Sequence, residues 1–107
     1  MRPISPRVKK LLENDDWMKM CIIRDGNCSG RITFEHSWIY SGRQIDEAWA
    51  LVPLCHYHHL GKGFSKEIKD YGRWVSLLRA KPEDLKKYPK KDWLQEKSQL
   101  TKKFVKI

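Results

Sequence analysis

No run of apolar residues in this 107-residue chain approaches the ~20 that a membrane-spanning helix requires. No apolar stretch follows the start MRPISPRVKK, so a secretory signal is not expected either. Cysteine is scarce: three residues, which cannot all pair within one chain. A disulfide framework is therefore not expected, and reduced thiols in a cytosolic setting point to metal binding instead. Acidic residues are outnumbered, 13 Asp and Glu against 22 Lys and Arg, for a formal net charge of +9. That excess favours a polyanionic partner, DNA or RNA, although a generally basic, solvated surface gives the same count. Internal repeats and low-complexity segments are missing, and the prolines do not mark a second domain. One small domain over residues 1–107 is expected.

What is present argues against disorder. Charged residues make up 33% of the chain, but aromatics reach 11%, with five tryptophans, a composition that supports a packed core. A core of this size is limited and profits from a staple.

Ser5-Pro6 reads as a helix cap followed by proline at the first helical position, opening a short basic helix, PRVKKLLEND, with Val8, Leu11 and Leu12 on one side. The apolar segment WMKMCII fits a strand or a helix. RDGNCSGR is turn material, with Asp25-Gly26 and Ser29-Gly30 as its signals. RITFEH alternates apolar and polar residues, a strand pattern. SWIYSGRQIDE looks like a loop around Ser41-Gly42, and AWALV reads as a second strand ended by Pro53. The two strands can pair as an antiparallel ribbon with a connection of ~12 residues, longer than an ordinary hairpin loop. A short helix is expected from near Leu54 to Gly61 or Gly63. Ser65 caps a further helix, KEIKDYGRWVSLLRA, with Ile68, Tyr71, Val75 and Leu78 at helical spacing. KPEDL and the segment after Pro89 give two more helical pieces, the last with an apolar stripe of Trp93, Leu94, Leu100 and Phe104.

The stretch ALVPLCHYHHLGKG concentrates metal-binding groups. Cys21 and Cys28 flank the turn-rich loop, and His58 follows Cys55 at an offset of three. A Cys₃His set of Cys21, Cys28, Cys55 and His58 suits tetrahedral Zn²⁺, because thiolates and neutral imidazole match its borderline-soft character. Taken alone, Cys21 also reads as a buried thiol beside Met20 and Ile22. Zinc would staple a small core, since metal binding adds directly to folding free energy.

Glu35, His36, His56 and His59 remain. Glu35 and His59 can hold one divalent cation such as Mg²⁺, leaving positions for a phosphate oxygen. His36 can take a proton from attacking water, because imidazole titrates near neutrality. Adjacent strand residues face opposite sides, so Glu35 and His36 reach one site only if the strand bends or ends there. The alternative is an exposed acid and a packed imidazole. His56 reads as a surface residue.

The order FEH, ALVPLC, CHYHH resembles the HNH, or ββα-metal, endonucleases, whose motif runs from a strand ending in an acid-His pair, through a loop and second strand, to a helix carrying C-x-x-C-H. The resemblance covers residues 21–63; the helical extension over 65–107 lies outside it. It implies an α+β fold with a small zinc-stapled ββα-metal core and flanking α-helices. It implies a metal-dependent DNA endonuclease, with His36 as general base, Glu35 and His59 as ligands of the catalytic metal, and Cys55 and His58 as the second zinc pair. The family's motif asparagine aligns with Ala50; Gln44 or Asp46 can brace the loop in its place. Size and layout resemble small phage-encoded members, including those acting on recombination intermediates, which implies host cytoplasm. Resolvase-like members act as dimers, so the C-terminal apolar stripe is a candidate homodimer surface.

Arg31, Arg43, Lys62 and Lys66 lie close in sequence to the expected site and are candidate phosphate contacts. The lysines at 86, 87, 90, 91, 102 and 103 fit solvated helix faces as well as DNA contact. Trp38 and Tyr40 can stack on an exposed base or pack the core. Two other functions use the same residues: a non-catalytic zinc module that binds nucleic acid, and an interaction domain that uses zinc only to fold.

Overall fold

The computed structural model describes residues 4–24 and 26–105; Asp25 of the expected Asp25-Gly26 turn lies outside them. Ser5 caps helix α1 (Pro6–Glu13), its Oγ accepting from the Val8 N–H at 3.4 Å, with Pro6 at the helix start. Proline is tolerated there because first-turn N–H groups have no helical acceptor. Val8 and Leu12 face the core, whereas Leu11 is exposed. The WMKMCII segment is neither strand nor α-helix. Its first residues belong to a 3-10 turn over Asp16–Lys19, started by Asp15, whose carboxylate accepts from the Trp17 N–H at 3.0 Å. The turn buries Met18 and delivers Cys21 to the sheet, where the Ile22 N–H donates to Pro53 O at 3.0 Å.

Strands β1 (Ile32–His36) and, later in the chain, Leu51–Cys55 pair antiparallel, with Ile32 opposite Cys55 and His36 opposite Leu51. The second strand therefore starts later than AWALV and runs through Pro53, because Ala48–Ala50 form a 3-10 turn. The ladder explains the tolerance for proline. Hydrogen bonds join His56 to Arg31 and Ser37 to Ala50 at its two ends. Antiparallel alternation then puts Phe34 and Pro53 in a non-hydrogen-bonded pair, so the missing N–H forfeits no ladder bond.

Between these strands, β2 (Ile39–Tyr40) and β3 (Arg43–Gln44) form a hairpin inside the expected loop. Ser41 and Gly42 have φ of 51° and 80°. Two positive φ values give the turn whose twist matches the flanking strands. The strand Leu51–Cys55 is thus β4 in chain order.

Helix α2 (His56–His59) begins after Cys55 rather than near Leu54, because Leu54 and Cys55 still belong to β4. Helix α3 (Lys66–Arg79) has the expected Ser65 cap, with Oγ accepting from the Ile68 N–H at 3.3 Å. It buries Gly72, Ser76 and Leu77, and leaves Leu78 exposed. Helices α4 (Pro82–Leu85) and α5 (Trp93–Phe104) follow. The result is a small, compact α+β fold.

β4 is buried along its whole length, and its alternating residues feed two sides. Leu51 packs with Val8, Leu12 and Met18, while Val52 and Leu54 pack with Cys21 and Cys55. A third cluster gathers Trp38, Ile45, Trp49, Ala50, Leu77 and Trp93. Trp38 lies edge-on to Trp93 at 5.1 Å, donates to Ser76 Oγ at 2.9 Å and meets Arg73 and Lys91 across its ring. Tyr40 packs against Tyr88. Trp38 is therefore a core residue, and Tyr40 is half-buried against the same cluster.

The expected apolar stripe on α5 is also divided. Trp93 is buried, Leu100 packs on the tryptophan cluster and Phe104 stacks on Trp74, leaving Leu94 exposed. Most of that stripe is used inside the fold. Among the described residues, no helix is long and apolar enough to cross a membrane.

Candidate functional site

Cys21, Cys28, Cys55 and His58 converge from three parts of the chain, with all ligand atoms within 4.8 Å of one another. His58 Nδ1 lies 3.1 Å from Cys55 Sγ, 3.6 Å from Cys28 Sγ and 3.7 Å from Cys21 Sγ. A tetrahedral ion with the usual Zn–S and Zn–N lengths separates such a sulfur and nitrogen by ~3.6 Å. The donor set and spacing therefore fit zinc.

The thiols cannot all ionise together without a cation. Burial pushes Cys55 up, but backbone N–H groups of His58 and Ser29 and the side chains of His58 and Cys28 outweigh it and lower the thiol to about 6. Cys28 is pushed up to about 11 by burial and by the neighbouring Cys21 and Cys55. One thiolate is stabilised by the fold and its neighbour waits for positive charge, as expected where like charges share a site.

Local sequence creates this geometry. Gly30 has φ of 81°, a conformation L side chains rarely adopt, and a Cβ there would lie 2.6 Å from His56 Cβ. The loop carrying Cys28 can close over α2 only because residue 30 is glycine. Cys55 ends β4 and caps α2, so Cys55 and His58 are set by the strand-to-helix turn rather than by one helix face.

At the other end of β1, Glu35, His36, Gln44, His59, Leu60, Phe64 and Lys69 line a cavity of about 240 Å³. Adjacent Glu35 and His36 share it because β1 ends at His36, so the wall is the strand terminus rather than one face. Both are buried: Glu35 is not the exposed acid of the alternative reading, whereas His36 fits its packed imidazole. Glu35 is only 7% exposed, and its Oε2 has no hydrogen-bond partner among the described residues. Burial raises its pKa, against the pull of the Lys69 and Arg73 charges. A buried carboxylate oxygen without a partner is costly unless a cation or water meets it.

His59 is half-buried, and burial, with help from His36 and His56, lowers its pKa and favours the neutral ring that binds metals. Its Nδ1 is 2.6 Å from Thr33 Oγ1. His36 Nε2 lies 3.7 Å from Asp46 Oδ1. The Glu35, His36 and His59 ligand atoms do not meet the mutual spacing of the cysteine site; among the described residues, Cys₃His is the only set of three or more that does.

Arg31, Arg43, Lys62 and Lys66 are exposed, and none of them lines this cavity. Arg31 precedes β1 at the cysteine end, roughly 16 Å of strand from His36 at ~3.3 Å per residue. Lys69 is the cation that does line the cavity, and sequence reasoning missed it. The signal was available only in part: one helical turn separates Lys69 from Ser65, but which face meets the strand end depends on how α3 docks. Asp46 was legible as a loop brace, and its carboxylate accepts from the Ser5 N–H at 3.1 Å. Ala50 is fully buried in the tryptophan cluster. His56 is exposed, as expected. No family model, curated protein or solved structure matches the chain.

Proposed function

We propose that the protein is a metal-dependent DNA endonuclease of the HNH, or ββα-metal, type. The observation that carries this reading is the cavity shared by Glu35, His36 and His59, with the unpartnered Glu35 Oε2. Gln44 Oε1, at the same cavity, is likewise buried without a hydrogen-bond partner among the described residues. The formal charge of +9 supports a polyanionic substrate.

Glu35 and His59 would hold the divalent ion, Mg²⁺ or a similar cation. When bound, such an ion polarises a phosphoryl oxygen and stabilises the leaving oxygen. His36 would accept the proton of the attacking water, and an Asp46 carboxylate oxygen stands 3.7 Å from its Nε2. Lys69, in the same cavity, offers a positive charge to the phosphate. Cys21, Cys28, Cys55 and His58 would hold Zn²⁺, which would fix β4 and α2 and so the position of His59.

The test is cleavage of plasmid, linear, single-stranded and four-way DNA with Mg²⁺ or Mn²⁺, beside His36→Ala. Divalent-dependent nicking that falls ~10²–10⁴-fold in His36→Ala, with zinc content and thermal melting unchanged, is the expected result. A zinc-loaded wild type that cuts none of these would sink the enzyme reading. Ala50, packed in the core where the family commonly has asparagine, favours the second reading, a non-catalytic zinc module that binds nucleic acid. Salt-sensitive DNA binding without cleavage would establish that one.

A further inference from the structure

Thr33 and Glu35 are two residues apart on β1, so their side chains share one face of the strand. α2 places His59 against that face. Thr33 Oγ1 lies 3.0 Å from the carbonyl oxygen of Leu54, its own cross-strand partner, and 2.6 Å from His59 Nδ1.

A hydroxyl has one proton. If Thr33 gave it to His59 Nδ1, two oxygens, Thr33 Oγ1 and Leu54 O, would face each other at 3.0 Å with no proton between them. If Thr33 gives it to Leu54 O, the hydroxyl lone pairs are free to accept from a protonated Nδ1, and both short contacts become hydrogen bonds. The second arrangement satisfies every group. It also decides the ring's chemistry, because a neutral imidazole carries one proton, and with Nδ1–H turned to the strand, Nε2 is the lone pair left for the cavity.

From this we propose that Thr33 is a positioning residue that locks His59 in the Nδ1–H tautomer and presents Nε2 as a cation ligand beside Glu35. The lock rests on hydrogen-bond geometry; its purpose rests on the metal reading above. A side-chain partner that fixes tautomer and ring angle is the usual support of a metal-binding histidine, and here the backbone carbonyl of β4 stands behind it. A residue inside the β1–β4 ladder is thereby tied to the helix that follows β4.

The experiment reads the tautomer first. Long-range ¹H–¹⁵N correlation on ¹⁵N-labelled, zinc-loaded protein, with His59 assigned by His59→Gln, is expected to show Nδ1–H in the wild type and in Thr33→Ser. In Thr33→Val that preference is lost. Mn²⁺ titration followed by electron paramagnetic resonance is expected to give ~10- to 100-fold weaker binding in Thr33→Val, and near wild-type binding in Thr33→Ser. Zinc content and melting temperature report on folding in each variant. An Nε2–H tautomer in the wild type overturns the proposal, as does Thr33→Val with unaltered tautomer and Mn²⁺ affinity. Because the wild-type spectrum and Thr33→Ser both carry the test, a poorly folded Thr33→Val does not disable it. A wild type with Nδ1–H but no Mn²⁺ binding would overturn the metal reading and leave the lock standing.

Discussion

Asp46 Oδ1 stands 3.7 Å from His36 Nε2, while the other oxygen of the same carboxylate accepts from the Ser5 N–H at 3.1 Å. One side chain therefore stands between the start of α1, to which it is hydrogen-bonded, and the residue proposed as general base, which it only approaches. Neither contact is local, since Ser5 and Asp46 are 41 positions apart.

Asp46→Asn separates the two jobs. The amide oxygen can still accept from Ser5, but the charge facing His36 is gone. Cleavage is expected to fall ~10- to 100-fold, part of what a positioned general base supplies, with the melting temperature nearly unchanged. Single-turnover kinetics beside a thermal melt check this; equal losses in rate and stability would make Asp46 merely structural.

Lys69 and the exposed cations differ in what they should affect. Lys69→Met is expected to lower the cleavage rate at saturating DNA by ~10²–10³-fold, as for loss of one electrostatic stabiliser. Lys62→Ala and Lys66→Ala are expected to weaken DNA binding and reduce the salt slope by about 1 each. Binding isotherms at several salt concentrations, set against saturated rates, distinguish the two classes.

Zinc affinity should depend on pH in a defined direction. Cys28 lies at about 11 without metal, so binding must expel its proton throughout the neutral range. Cys55 lies at about 6, so it adds a second proton only below that pH. Apparent affinity should therefore rise steadily from pH 7 to 9 and fall more steeply below about 6. A chelator-competition titration measures it, and a flat profile across pH 7–9 would contradict the assignment of Cys28.

Gly30→Ala should strain the loop that carries Cys28. The left-handed backbone alone costs ~1–3 kcal/mol for a residue with a Cβ, and contact with His56 adds to it. A lower denaturant midpoint together with faster zinc loss to a chelator is expected. Unchanged values for both would show that the loop has another way to close.

Much of the architecture could be read from the residues. Ser5-Pro6 and Ser65 announced two helix starts because each serine hydroxyl accepts from an N–H of the first turn, and proline there needs no acceptor. The alternation in RITFEH marked β1, and four zinc-type ligands at plausible offsets marked the metal-binding group. These signals are local, and short-range physics decides them. The strand through Pro53 was misjudged because a proline's cost depends on which pairs the ladder bonds, and that is set by the partner strand. Trp38 and Tyr40 could have faced solvent or core; α3 and α5 bury Trp38, and the segment between α4 and α5 packs Tyr40 through Tyr88.

The sequence by itself determined the ligand chemistry: three thiols and an imidazole for a soft ion, an acid-His pair at a strand end, and an excess of positive charge. Tertiary structure alone decided which of these meet. It closed the cysteine site over Gly30, carried Lys69 to the cavity, turned His59 onto Thr33 and set Asp46 against His36. Residue type specifies what a side chain can do from its own atoms, but distance across the fold depends on packing, and these meetings are matters of distance.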